Sequence, residues 1–330
     1  MLNLVLITDN KYSYQTMIAL TSIIMNKNKD SQYKIFVLAN ALHQENKDLI
    51  KSCEAEKTQI EIIDCENYIN QFKEVIQSRH VTYTALLKFY LPEIFKDLDK
   101  ILYMDSDVIV QGDLNDFYNT DITGYYSTCT IDIQNYKIKH LKRIKHCGKR
   151  YFNSGVLLLN LDLLRKENVS QKLVENKLEY PDTGFMDQDT FNMVFVDKVK
   201  YISYKYNFLP ELTKWVKIED FSDYFGESVP KDMDEICETC LILHLGGKLK
   251  PWVYDLGNLS DKYRYYWEQS PVREPFPELP PPPKKSSRRK YTFWEKIFSI
   301  KSDSNFKYKV LTILGIRIKY KRRNIDKGIS

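Results

Sequence analysis

Lys100-Ile101-Leu102-Tyr103-Met104-Asp105-Ser106-Asp107 is the stretch from which the rest of the chain can be read. A short run dominated by apolar residues reads as a strand buried on both faces, as in a parallel sheet, and two aspartates close it. Strands of open α/β sheets end, at their C-termini, in the crevice where ligands bind. Carboxylates placed one residue apart repel each other, so a cation is the natural reason to set them together. Oxygen ligands of this kind suit Mn²⁺ or Mg²⁺, with a diphosphate completing the shell. The cation would offset charge developing on a departing nucleoside diphosphate.

The same local pattern occurs in haloacid-dehalogenase-like phosphatases, with the first aspartate as nucleophile. There the motif usually opens the domain. Here residues 1–99 precede it and already alternate strand and helix signals. Leu4–Ile7, Ile35–Leu38 and Ile60–Ile63 read as buried strands, and Tyr14–Met25 and His43–Lys57 as the helices between them. Such spacing implies right-handed crossovers and a mostly parallel sheet. A helix is expected over 82–95, and further strands over 125–130 and 156–159. More helices are expected over 169–178 and 188–196. Residues 201–243 are too irregular for elements to be assigned.

Other candidate residues cluster near expected strand ends. Thr8-Asp9-Asn10-Lys11-Tyr12 closes the first strand with a carboxylate and a ring that could read and stack a base. Asn153-Ser154-Gly155 offers an amide for sugar hydroxyls and a residue without a side chain. Asp187-Gln188-Asp189 opens a helix, where Asp187 could serve as an N-cap. After the apolar run Leu241–Leu243 comes His244-Leu245-Gly246-Gly247-Lys248-Leu249-Lys250-Pro251-Trp252. That segment supplies an imidazole able to bind metal, glycines for close backbone approach, and lysines for phosphate oxygens.

In their order and spacing from Leu4 to Trp252, these motifs resemble glycosyltransferase family 8, in particular its bacterial members that build lipopolysaccharide or lipooligosaccharide. The resemblance implies an α/β fold of the GT-A type, a UDP-hexose donor (galactose or glucose) and transfer with retained anomeric configuration. It also implies donor contacts at Ile7, Asp9, Tyr12, Ser106, Asn153, Asp187, Gln188, Gly247 and Lys250, with Asp9 and Tyr12 holding the uracil. Asp105, Asp107 and His244 match the ligands of Mn²⁺ (or Mg²⁺), Gly247 and Lys250 the diphosphate positions. By the same resemblance Gln188 would lie beneath the anomeric carbon, and Gln188 and Asp187 are the expected catalytic residues. One departure stands out: Leu86 occupies a place where the family usually has an arginine that contacts the sugar, and Arg79 or Lys88 are the nearest replacements. That loss keeps open a nucleotide-sugar-binding protein with weak or no turnover.

Composition bounds the rest. The 330 residues are 43% hydrophobic and 28% charged, with 24 tyrosines, which suits a globular chain with a large core. The net charge of +5 hides an asymmetry: residues 284–330 carry 15 Lys/Arg and 3 Asp/Glu, and residues 1–283 carry 34 and 41. The expected organisation is a catalytic domain over 1–270, a Pro-rich linker over 271–289 and a basic tail over 290–330. In the tail Phe293, Trp294, Ile297 and Phe298 share one face of an expected short helix flanked by Lys290, Lys296 and Lys301, the pattern of an interfacial anchor. Ile316, Ile318 and Tyr320 alternate with Arg317, Lys319 and Lys321, as in a strand. An anionic membrane, where a lipid-linked saccharide acceptor would lie, is the expected partner, and nucleic acid is not. Met1–Thr8 is too short and lacks the basic start of an export signal, and no run approaches the ~20 apolar residues that span a bilayer. A cytoplasmic, peripheral protein is therefore expected. Cys237 and Cys240 form the only CxxC among six cysteines, and free thiols are the expected state.

Overall fold

The structure is a computed structural model that describes residues 1–68, 70, 83–132, 148, 150–181, 183–283, 298–302, 308–313 and 316–321. Arg79 and Cys147 lie outside them, as do Lys290, Phe293, Trp294, Lys296 and Ile297. The chain divides into two compact units, Met1–Pro281 and Pro282–Ser330.

The first unit is built on an eight-stranded sheet. Its strands are β1 (Leu2–Asp9), β2 (Tyr33–Asn40), β3 (Thr58–Asp64), β4 (Lys100–Met104), β6 (Ser127–Ile131), β7 (Phe152–Asn153), β8 (Val156–Asn160) and β9 (Val199–Tyr201). They run in the order β3-β2-β1-β4-β8-β6-β7, with β9 beside β6. The first four are parallel, while β8 lies antiparallel to β4. Two further strands, β5 (Val108–Val110) and β10 (Ile242–His244), pair antiparallel with His244 opposite Val108. Helices α1 (Ser13–Asn26) and α2 (Gln44–Lys51) supply the early crossovers; α3 (Val169–Glu179), α4 (Met186–Val194) and α5 (Asn258–Gln269) come later.

β1 shows why the sheet is sandwiched. Val5 and Ile7 pack into one apolar layer, Leu2, Leu4 and Leu6 into the other. Alternate side chains of an extended strand point to opposite faces, so a run apolar at every position needs cover on both.

Two expectations change. The helix expected over 43–57 ends at Lys51: Ser52 closes it, Lys57 takes a left-handed φ of 58°, and the Glu54 carboxylate accepts from the Ile60 backbone N–H at 2.8 Å. The helix expected over 82–95 is a 3₁₀ helix over Tyr83–Tyr90 followed by one α-turn, Leu91–Ile94.

The start of the expected linker packs on the first unit. Glu274 accepts from the Tyr14 hydroxyl at 2.5 Å, Phe276 packs against Tyr263 and Trp267, and the Asp255 N–H donates to Pro280 O at 2.9 Å. The second unit holds an antiparallel sheet of β11 (Phe298–Ser302), β12 (Tyr308–Ile313) and β13 (Ile316–Lys321). Phe298 and Lys301 thus lie in a strand, not on the expected helix face, because they pair with Ile313 and Val310. Among the described residues no helix is long and apolar enough to cross a membrane.

Candidate functional site

The parallel strands β1 and β4 end side by side, and charged side chains gather at their C-terminal loops. β4 delivers Asp105-Ser106-Asp107. A hydroxyl ladder ties this loop to β1 and α1: Ser106 Oγ donates to Ile7 O at 2.9 Å, and Thr16 links Ser106 to Thr8 at 3.0 and 2.8 Å. Ser106 thereby holds the loop while its carboxylate neighbours face the crevice.

His244 arrives from the far end of the chain through the β5–β10 pairing, reinforced by the Leu245 N–H donating to Asp107 O at 2.8 Å. Its Nε2 lies 3.4 Å from Asp107 Oδ1 and 3.7 Å from Asp105 Oδ2. One ligating atom from each of Asp105, Asp107 and His244 lies within 4.8 Å of the others, so the three could hold a metal ion. Two hard oxygens and an imidazole nitrogen suit a divalent cation. Gly155 makes room for this convergence. A Cβ there would stand 2.2 Å from His244 Cε1 and 2.7 Å from Asp105 Oδ2, so no other residue fits without a shift.

Two ammonium groups flank the carboxylates. Lys250 Nζ lies 2.6 Å from Asp107 Oδ2, 2.8 Å from Leu245 O and 5.2 Å from the Trp252 ring centre. Burial would raise the pKa of Asp107, but Lys250 and His244 outweigh it and hold the carboxyl well below its ordinary range. Lys88 is 4% exposed; its Nζ lies 3.0 Å from Asp105 Oδ1 and 2.8 Å from Asp187 Oδ2. Burial alone would make it easier to deprotonate. Asp105 and Asp187 reverse that, and its pKa stands above the usual lysine value.

A cavity of about 250 Å³ opens over these groups. Of the expected donor residues, Ile7, Asp9, Tyr12, Asp105, Ser106, Asp107 and Asp187 line it. Asp9 Oδ1 accepts from the backbone N–H groups of Lys11 and Tyr12 at 2.9 and 3.0 Å, an Asx turn that shapes the rim. Tyr12 stands 43% exposed there. Asn153 and Gln188 are joined beneath: Gln188 Oε1 accepts from Asn153 Nδ2 at 3.1 Å and from the Ser154 N–H at 3.2 Å. Asp187 accepts from Ser154 Oγ at 2.9 Å. Gly247 adopts φ 91°, and the Glu211 carboxylate crowds the place of its absent side chain.

Leu86 is wholly buried and faces the core, whereas Ala85 and Lys88 line the cavity. A 3₁₀ helix repeats every three residues, so 85 and 88 share the site face while 86 and 89 share the other. The sequence reading names Lys88 only as a substitute and misses Tyr103, Asp132 and Asn207. Tyr103 donates a short hydrogen bond to Asp105. A larger open hollow of about 820 Å³ lies between α2 and β3. Its charged side chains are largely paired with one another, as in Lys34–Glu61 and Lys51–Glu54, and do not converge on a point.

Comparison with known proteins agrees with this geometry. The profile of Glycosyl transferase family 8 matches residues 3–255. A glycosyltransferase-type protein of Haemophilus influenzae is 30% identical over 216 residues, which cover 63% of this chain and 64% of that protein. An Escherichia coli lipopolysaccharide 1,2-glucosyltransferase is 26% identical over 321 residues, 92% of this chain and 89% of that protein. The crystal structure of the galactosyltransferase LgtC with donor and acceptor sugar analogues superposes with a TM-score of 0.69 at 23% identity, covering 83% of this chain and 98% of LgtC. That likeness identifies the fold as GT-A.

Proposed function

The chain belongs to glycosyltransferase family 8, and from that premise we propose that it transfers a hexose from a UDP-sugar to a saccharide acceptor with retention, in the synthesis of lipopolysaccharide or a related cell-surface glycan. The observation that carries this reading is the convergence of Asp105, Asp107 and His244 at the end of β4, over a cavity whose rim bears Asp9 and Tyr12. The similar proteins divide between glucose and galactose, so the donor hexose is left to experiment.

Asp105, Asp107 and His244 would hold Mn²⁺, which when bound supplies positive charge to the departing diphosphate. Tyr12 would stack on the uracil and Asp9 accept from its ring N–H. Lys250, now pinned to Asp107, would turn to a phosphate oxygen once the carboxylate charge is offset. Gly247, with no side chain, would let the backbone approach the diphosphate.

Asp187 and Gln188 sit where the sugar would lie. An amide oxygen is a weak nucleophile, and that of Gln188 already accepts from Asn153 and Ser154. These bonds favour Gln188 as a group that orients the sugar, with donor and acceptor reacting on the same face. Lys88 holds Asp187 toward the sugar hydroxyls, replacing in part the arginine absent at Leu86. The phosphatase alternative finds no support in the family match.

The basic tail is proposed to rest on an anionic membrane at the cytoplasmic face, where a lipid-linked acceptor would be found; basic side chains there contribute about 1 kcal/mol each.

The experiment is UDP release from a panel of UDP-sugars, with and without Mn²⁺, beside Asp107→Asn. Slow Mn²⁺-dependent hydrolysis of one donor, lost in the variant, would support the transferase and identify its sugar. Tight UDP binding without turnover of any donor would instead point to a binding protein.

A further inference from the structure

The ring of His244 is held from behind by a chain of buried amides. Its Nδ1 lies 2.9 Å from Asn207 Oδ1; Asn207 Nδ2 lies 2.9 Å from Asn153 Oδ1; Asn153 Nδ2 lies 2.9 Å from Asp132 Oδ2. All four residues are at most 6% exposed.

The direction of every bond follows from the two groups whose roles are fixed. The Asp132 carboxylate can only accept, so Asn153 presents its NH₂ there. The Gly155 backbone N–H can only donate, and it reaches Asn153 Oδ1 at 2.9 Å. Asn153 therefore offers its oxygen to Asn207, whose NH₂ must face it, and the Asn207 oxygen is left for His244. An oxygen facing Nδ1 requires the ring proton on Nδ1. In the neutral ring the Nε2 lone pair is then free for a cation held between it and Asp105 and Asp107. Donors and acceptors line up in one sense along the chain, so each bond polarises the next.

We infer that Asn207 is a positioning residue: with Asn153 and Asp132 behind it, it fixes the Nδ1–H tautomer and ring orientation of His244, and so sets the metal affinity of the site. The inference rests on the metal reading above. It also joins metal and sugar sides, since Asn153 donates to both Asp132 and Gln188.

The test uses the full chain, with Mn²⁺ affinity measured from the paramagnetic resonance of free ion. The His244 tautomer is read from long-range ¹H–¹⁵N correlations in histidine-labelled protein. In the metal-free, unsubstituted protein the His244 Nδ1 should carry a proton. Asn207→Leu, close in size but with no acceptor, should weaken Mn²⁺ binding by about 10–100-fold. Asn207→Asp keeps an oxygen for Nδ1–H and should recover most of that affinity, whereas a role in packing alone would make the buried charge the worse of the two. A His244 Nδ1 without a proton in the unsubstituted protein overturns the inference even if Asn207→Leu does not fold. Unchanged affinity in Asn207→Leu alongside a loss in His244→Ala overturns it while leaving the metal reading intact. Unchanged affinity in His244→Ala overturns both.

Discussion

Lys88 and Asp187 meet at 2.8 Å at the floor of the cavity, and the same ammonium reaches Asp105 at 3.0 Å, so one buried cation joins the end of β4 to the start of α4. Replacing Lys88 by Met would keep the stem and leave two carboxylates facing each other. Removing one partner of a buried ion pair typically costs about 3–5 kcal/mol, because the remaining charge is uncompensated. Lys88→Met should lose stability on that scale in urea unfolding, with donor hydrolysis falling along with it. A variant as stable and active as the parent would reduce Lys88 to a filler of space. The raised lysine pKa contributes stability that is complete below the unfolded value near 10.4 and declines only as pH rises beyond it, so no loss from this group is expected near neutrality.

Gly155 tests the crowding behind the carboxylates. An alanine methyl would press on His244 and Asp105, and the backbone there is pinned by Gly155 O accepting from the Asp105 N–H at 2.7 Å. Gly155→Ala should therefore weaken Mn²⁺ binding by at least about tenfold, on the scale of lost support for a metal ligand, while circular dichroism stays that of the parent. Unaltered binding would mean the imidazole is not needed at its present position.

The parts of the site legible in the sequence are those where a buried strand runs straight into the residue that matters. β4 into Asp105, β1 into Asp9 and β10 into His244 all have this form, and the apolar run marks the strand while its end marks the crevice. Asn207 has no such marker. It lies between Tyr206 and Phe208 in a stretch without periodicity. The backbone bonds of Phe208 to Ile242 and His244 bring it beside the imidazole. Lys88 was hidden differently. In a helix with a 3.6-residue period Lys88 stands about 60° from Ala85, whereas the three-residue period of the observed helix aligns the two on the site face, with Leu86 in the core.

The CxxC pair makes a prediction about pH. Burial pushes both Cys237 and Cys240 up to about 12, and neither is in a disulfide. At pH 8 they should stay protonated and resist an exposed-thiol reagent until the chain unfolds. The unfolded thiols ionise near 8.5, so the folded state binds the extra protons above that pH. Stability from these groups should thus be intact below about 8.5 and fall as pH approaches 12. Rapid labelling of either residue in the native protein at pH 8 would contradict this.

Where the chain can be cut follows from Glu274 and Phe276. The Tyr14 hydroxyl donates a hydrogen bond to Glu274, which pushes the phenol up to about 12, and Trp267 Nε1 donates to Glu274 O at 2.8 Å. Phe276 closes an aromatic group with Tyr263 and Trp267. Residues 271–281 thus belong with the first unit, although their prolines read as linker. Ending the chain after Pro283 should leave thermal stability and UDP binding unchanged and abolish sedimentation with anionic vesicles. Ending it after Ser270 removes Phe276 and its neighbours, at a cost of up to about 2 kcal/mol, the transfer free energy of a fully buried aromatic side chain setting the ceiling for this partly buried one. If the longer truncate lost UDP binding, the tail would be part of the catalytic fold. If it still bound vesicles as the full chain does, the membrane contact would have to be sought on the first unit instead.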